Sequence, residues 1–310
     1  HQVKTLLNIP AEYEIYMAGS ASEIWERILL NTVDQFSHHL VYGDFSKRFY
    51  HYATALDKKP SMQEVPWGKS FSSEDVIIPD QTELIGICQN ETSTGASIQL
   101  DLIYNLRKRY PDTLLAIDIV SAVPYVNLNY SMVDMAFFSA QKGFGLPTGL
   151  GIWIVSPRAI ERASALRRKG KMMGAHHTIE QFHQNYKKGE VPSTPNMLAI
   201  YLLGKIASDM NEYGIERIRK ETDCKAAILD KAIEDSALLK HFVKSSTDRS
   251  KTTIVAEVWD ARVLSTLQRD YIVLSNGYGM YKDQHIRIGN FPAKSIDDMT
   301  HLAEALKSIG

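Results

Sequence analysis

Cysteine is scarce in this chain, with only Cys88 and Cys224 among 310 residues. Two thiols so far apart give neither a disulfide framework nor the paired spacing of a zinc site, and a reducing, cytoplasmic setting is expected. An excess of charge of one sign is lacking too. Lys and Arg number 35 against 36 Asp and Glu, so the basic stripe that sequence-independent nucleic-acid binding needs is missing, and nucleic acid is not an expected partner. Long apolar runs are absent as well. A stretch such as Met197 to Leu203 is far shorter than a membrane span and reads as buried helix, so no membrane partner is expected. The chain opens His1-Gln2-Val3-Lys4, with no initiator Met and none of the charged-then-apolar layout of a signal peptide, and its natural beginning is expected to be missing.

What is present is an ordinary globular composition, 44% hydrophobic and 23% charged, enough for one large or two smaller domains. Short apolar runs alternate with amphipathic helical patterns through the first half, which predicts an α/β fold with a mainly parallel sheet flanked by helices. Candidate strands are Tyr13 to Met17, Glu83 to Cys88, Leu114 to Ile117, Met135 to Phe138 and Gly151 to Val155. Ile98, Leu102, Leu106 and Tyr110 recur at helical spacing before Pro111, so residues 97 to 110 should form a helix with one buried face. Lys187-Lys188-Gly189-Glu190, followed by Pro192 and Pro195, marks a linker. Residues 1–190 are therefore expected to form a large α/β domain and 191–310 a smaller α+β domain. In the latter, helices at Asn196 to Asn211 and Glu216 to about Ala237 precede a strand at Thr252 to Glu257, a further helix, two strands and a closing helix capped by Ser295 with Asp298.

Two opposite charges stand where an α/β sheet places its ligands. One apolar strand ends in Asp118, and another, about 24 residues on, runs into Ser139-Ala140-Gln141-Lys142-Gly143. A lysine at a partly desolvated strand end can become the neutral amine that attacks an aldehyde. An aspartate opposite it can keep a heterocyclic nitrogen protonated. Upstream, Gly19-Ser20-Ala21-Ser22-Glu23 is a small-residue turn opening a helix through Trp25, where backbone amides attract an anion. The adjacent pairs His38-His39 and His176-His177 point in different directions on either kind of element, which speaks against a shared metal.

Asp118-x-x-Ser121 after one strand and Ser-Ala-Gln141-Lys142-Gly after a second resemble the cofactor signature of the class V aminotransferases of fold type I. The resemblance spans nearly the whole chain. It implies pyridoxal 5′-phosphate (PLP) as cofactor, joined to Lys142 as a Schiff base, with Asp118 on the ring nitrogen. It also implies that Ala21 and Ser22 face the phosphate and that Phe45, in Tyr42-Gly43-Asp44-Phe45-Ser46, stacks on the ring. Thr92, in Asn90-Glu91-Thr92-Ser93-Thr94-Gly95, would bond the cofactor, with Ser121 and Gln141 beside it. Arg287, after Gly277-Tyr278-Gly279-Met280-Tyr281-Lys282, would grip the substrate α-carboxylate. Ser193 and Thr194, in Pro192-Ser193-Thr194-Pro195-Asn196, would reach the neighbouring subunit's cofactor phosphate, so a homodimer is expected.

Within the class the resemblance points toward the phosphoserine aminotransferases, with the serine and alanine-glyoxylate aminotransferases close behind. The His-Arg pair with which phosphoserine enzymes bind the substrate phosphate has no match before Tyr13. A cysteine desulfurase would need a reactive cysteine on a loop, whereas Cys88 falls in a strand and Cys224 in a helix. A domain that only binds a phosphorylated ligand is the non-enzymatic alternative, and such a domain has no use for both Lys142 and Asp118.

Overall fold

The structure, a computed structural model, describes residues 1–260, 263, 272 and 274–308. Helix α1 (Gln2–Leu7) leads into β1 (Glu14–Ala18), α2 (Ala21–Thr32), β2 (Ser37–Val41), α3 (Asp44–Ala55), β3 (Ser61–Glu64) and β4 (Leu84–Cys88). A short hairpin of β5 (Asn90–Glu91) and β6 (Ala96–Ser97) precedes α4 (Leu100–Arg109), β7 (Leu114–Asp118), β8 (Met135–Ser139), β9 (Gly151–Val155), α5 (Pro157–Arg168) and α6 (Ile179–Tyr186). Then follow α7 (Met197–Tyr213), α8 (Ile215–Asp235), β10 (Leu239–His241), β11 (Thr253–Val258), β12 (Ser275–Asn276), β13 (His285–Gly289) and α9 (Ile296–Ser308).

Seven strands form the main sheet in the order β1-β9-β8-β7-β4-β2-β3. Strand β9 runs antiparallel to both β1 and β8. The remaining pairs are parallel. Strands β2, β4, β7, β8 and β9 are buried at every position, as a sheet covered by helices on both faces requires. One apolar cluster, with Ile87, Ile117 and Phe138, lies on one face, and another, with Trp25, Phe49, Phe137 and Trp153, on the other.

All five expected strands are present, displaced by at most a residue or two, while β2 and β3 escape the sequence pattern. Strand β2 reads Ser-His-His-Leu-Val, too polar at its start to look like a core strand. Burial is tolerated because His38 bonds Ser61 at 2.8 Å and His39 bonds Ser37 at 2.9 Å. Helix α4 starts later than expected because Ala96 and Ser97 pair in the β-hairpin. Met197 to Leu203 is helical but only partly buried. Ala199 and Leu203 enter the large core, whereas Met197, Leu198 and Tyr201 are 63%, 67% and 61% exposed.

The second sheet is antiparallel, in the order β10-β11-β13-β12. Leu229 and Ile233 of α8 and Leu302 and Leu306 of α9 pack against Ile254, Ala256, Ile286 and Ile288 of its strands. The closing helix begins with a reciprocal capping box. The Asp298 amide donates to Ser295 Oγ at 3.0 Å, and the Ser295 amide to Asp298 Oδ2 at 2.8 Å. The helix expected after the Thr252 to Glu257 strand falls mostly outside the described residues. Among the described residues no helix is long and apolar enough to cross a membrane.

Candidate active site

Parallel strands β7 and β8 end at Asp118 and Ser139, so their carboxyl ends open on one edge of the sheet. Asp118 is buried. Its Oδ1 accepts the Val120 amide at 2.9 Å and its Oδ2 the Trp25 indole N–H at 3.2 Å. Burial pushes its pKa up to about 7, a rise that Glu91 adds to and that these two donors oppose. No cation pairs with it among the described residues.

Lys142 lies three residues beyond β8, half-buried, and its Nζ has no hydrogen-bond partner among the described residues. Burial lowers its pKa, and the positive charge of Arg287 lowers it further. Beside it, a Cβ on Gly143 would sit 1.9 Å from the Val123 carbonyl oxygen, so only glycine allows the loop this close an approach. The neighbouring Gln141 Oε1 is buried without a hydrogen-bond partner among the described residues.

The turn before α2 meets the same edge. The Ala21 amide donates to Ser139 Oγ at 3.0 Å, while Ser20 caps the helix by accepting the Glu23 amide at 3.1 Å. The Glu23 carboxylate returns to the Gly19 amide at 2.7 Å. Ala21 is buried and Ser22 exposed beside it.

On the far side of β7, the Thr92 hydroxyl donates to Ser121 Oγ at 2.8 Å, and Asn90 Nδ2 donates to the same oxygen at 2.7 Å. Glu91, fully buried, joins this loop to α3. Its carboxylate accepts from the Ser46 amide at 2.8 Å, the Phe45 amide at 3.3 Å and the Ser93 hydroxyl at 2.7 Å. The charge thus caps the helix whose second residue is Phe45. The Phe45 ring is half-buried and leans on Tyr278, in the connection between β12 and β13, with centroids 5.3 Å apart.

Arg287, on β13, is half-buried. Its Nε donates to the Asn276 carbonyl at 2.8 Å and its guanidinium lies 5.1 Å over the Tyr278 ring. The structure thus gathers Ala21, Ser22, Phe45, Thr92, Asp118, Ser121, Gln141 and Lys142 around the carboxyl ends of the sheet, with Arg287 brought in by the second sheet. Ser193 and Thr194 instead lie exposed on the single chain, Ser193 with φ 67°.

Sequence reasoning missed Trp25, Glu91 and Tyr278. Trp25 lies 93 residues from Asp118, and Glu91 lies 45 from Ser46. The Asn-Glu-Thr run, the Gly-Tyr-Gly run and the helix through Trp25 each contain one of them without marking it as a site residue.

The sequence profile of the class-V aminotransferases matches residues 69–280. The chain belongs to the class V aminotransferase family. A phosphoserine aminotransferase from Rhodococcus jostii is 25% identical over 309 residues, covering 97% of this chain and 81% of its own length. The crystal structure of a phosphoserine aminotransferase from Cytophaga hutchinsonii superposes with TM-score 0.97 at 40% identity, across 100% of this chain and 86% of that one. An alanine-glyoxylate aminotransferase from Nostoc sp. shares the fold, with TM-score 0.85 at 21% identity over 99% of this chain and 85% of that one. The architecture is that of the fold type I aminotransferases. The residues of this class V site suit PLP: among the described residues, an amine without a partner, a buried carboxylate without a cation and an unpaired Gln141 oxygen are complementary to an aldehyde, a ring nitrogen and polar ring substituents.

Proposed function

We propose that this aminotransferase acts on phosphoserine and its matching 2-oxo acid, passing the amino group to and from a second amino acid and 2-oxo acid pair such as glutamate and its oxo acid. The observation that carries the transaminase chemistry is the juxtaposition of Lys142, Asp118 and Arg287. The printed names of the Rhodococcus and Cytophaga relatives support the choice of phosphoserine.

The cofactor is PLP, which supplies an electron sink for the pair left when the substrate Cα–H bond breaks. Asp118, as the anion, holds a proton on the ring nitrogen, and a cation beside it draws its pKa back down. Lys142, whose pKa burial and the Arg287 charge both lower toward the free amine, would be the base that takes the substrate Cα proton on its Nζ. The planar fork of Arg287 binds the α-carboxylate and fixes which Cα bond faces Lys142. Ala21 and Ser22 hold the phosphate at the start of α2, Phe45 covers the ring, and Thr92, Ser121 and Gln141 bond its polar edge. On this reading residues 1–190 seat the cofactor, and 191–310 carry the substrate arginine.

A homodimer and a cytoplasmic location complete the proposal. Exposed Met197, Leu198 and Tyr201 adjoin Ser193 and Thr194, an apolar patch suited to a second copy whose site these two hydroxyls would complete. The free thiols of Cys88 and Cys224 suit a reducing compartment.

The test is a half-reaction screen of the PLP-loaded protein with glutamate, phosphoserine, serine and alanine, following loss of the cofactor's visible band. Phosphoserine and glutamate should each discharge it. Discharge by serine or alanine, with phosphoserine inert, would reassign the chain to the serine or alanine-glyoxylate enzymes.

A further inference from the structure

We infer that Trp25 is a positioning residue for the cofactor ring, its indole N–H holding the Asp118 carboxylate as an oriented anion toward the ring nitrogen. The inference rests on the cofactor seat proposed above.

Asp118 has two carboxylate oxygens and, among the described residues, one donor on each. The Val120 amide lies 2.9 Å from Oδ1, and the Trp25 indole nitrogen 3.2 Å from Oδ2. Two donors on opposite oxygens fix the plane of the carboxylate, and both favour its charged form in a buried setting that otherwise disfavours it. The Val120 donor is backbone, two residues along the same chain segment, and any residue but proline would supply it. The Trp25 donor is a side-chain choice. Phenylalanine there would keep an aromatic ring in the core, though a smaller one, and would donate nothing.

Trp25 is itself held firmly. It is 3% exposed, stacked on Phe49 with ring centroids 5.9 Å apart and planes 16° apart, and edge-on to Tyr52 at 5.4 Å. Its place on α2 adds a second link. Ala21, whose amide meets Ser139 Oγ, lies four residues earlier, about 6 Å along the same helix. One rigid turn therefore joins the phosphate end of the seat to the carboxylate at its far end. A shift of α2 would move both together.

The test compares wild type with Trp25→Phe, which keeps an aromatic ring against Phe49 and removes the N–H along with part of the ring volume, so that the second ligand serves as the packing control. Both apo-proteins are titrated with PLP and with the analogue that carries C–H in place of the ring nitrogen. Loss of a hydrogen bond to a charged group should weaken PLP binding about tenfold and leave the affinity for the carbon analogue within about twofold of wild type. With PLP labelled with ¹⁵N at the ring nitrogen, the variant's resonance should move toward the neutral position. Equal weakening of both ligands would reduce Trp25 to a packing residue, and unchanged PLP affinity would remove it altogether. Either result overturns the inference. Should the wild type itself bind PLP no better than the carbon analogue, the assignment of Asp118 to the ring nitrogen fails instead.

Discussion

The two walls of the site are held in opposite ways. On the wall built by the seven-stranded sheet, Asp118, Glu91, Asn90 and Ser121 are buried and each is bonded from within the chain. On the wall built by the small antiparallel sheet, Arg287 is half-buried, spends one nitrogen on the Asn276 carbonyl, and is paired with no carboxylate among the described residues. Groups that would serve the cofactor are thus fixed in advance. The group that would serve the substrate keeps most of its fork available, as an enzyme that exchanges two different amino acids requires.

Mutating each wall should separate these roles. The largest effect is expected from Lys142→Ala, with transamination falling at least 10³-fold (order of magnitude) in single-turnover assays. A loss of less than tenfold would mean that another base moves the proton.

Next comes the pH dependence of the apo-protein's stability. The Asp118 pKa of about 7 in the fold exceeds its ordinary 3.8, so its contribution is fully present below about pH 4 and is lost as pH rises through 7. About three pKa units at about 1.4 kcal/mol each set a ceiling of about 4 kcal/mol. Buried His38 and His39, whose pKa values fall to about 4 and about 3, tilt the same range the other way. The difference between wild type and Asp118→Asn in urea unfolding at pH 5 and pH 8 isolates the aspartate. Identical slopes would show that Asp118 titrates normally.

Glu91→Ala should cost the apo-protein about 3 kcal/mol, because it leaves the buried amides of Ser46 and Ser93 without an acceptor. Arg287→Lys should leave unfolding within about 0.5 kcal/mol. It should raise the KM for the amino acid roughly 10-fold, through loss of the planar fork, with PLP affinity unchanged. If Glu91→Ala proved neutral, or Arg287→Lys destabilised the fold as much, the contrast between the walls would vanish.

The sequence carries the parts of this architecture that are local. Asp118 and Lys142 stand at the ends of apolar runs whose period is visible within a few residues, and the Ser295 and Asp298 cap lies within one turn. Strand β2 is illegible because burial keeps its histidines uncharged and Ser37 and Ser61 bond their rings, and only the fold supplies either. Trp25 and Glu91 are hidden for the same reason. Each looks like an ordinary core aromatic or loop acid until β7 or α3 is set beside it. Met197, Leu198 and Tyr201 are the converse case, since apolarity alone reads as burial and does not say whether the cover comes from this chain or from a second copy.

Every role proposed for this site depends on a Schiff base at Lys142. Purified protein incubated with PLP, reduced with borohydride and digested should carry the reduced cofactor's mass on the peptide containing Lys142, and Lys142→Ala should carry none. An adduct confined to another lysine, or no adduct on the wild type, would contradict that attachment.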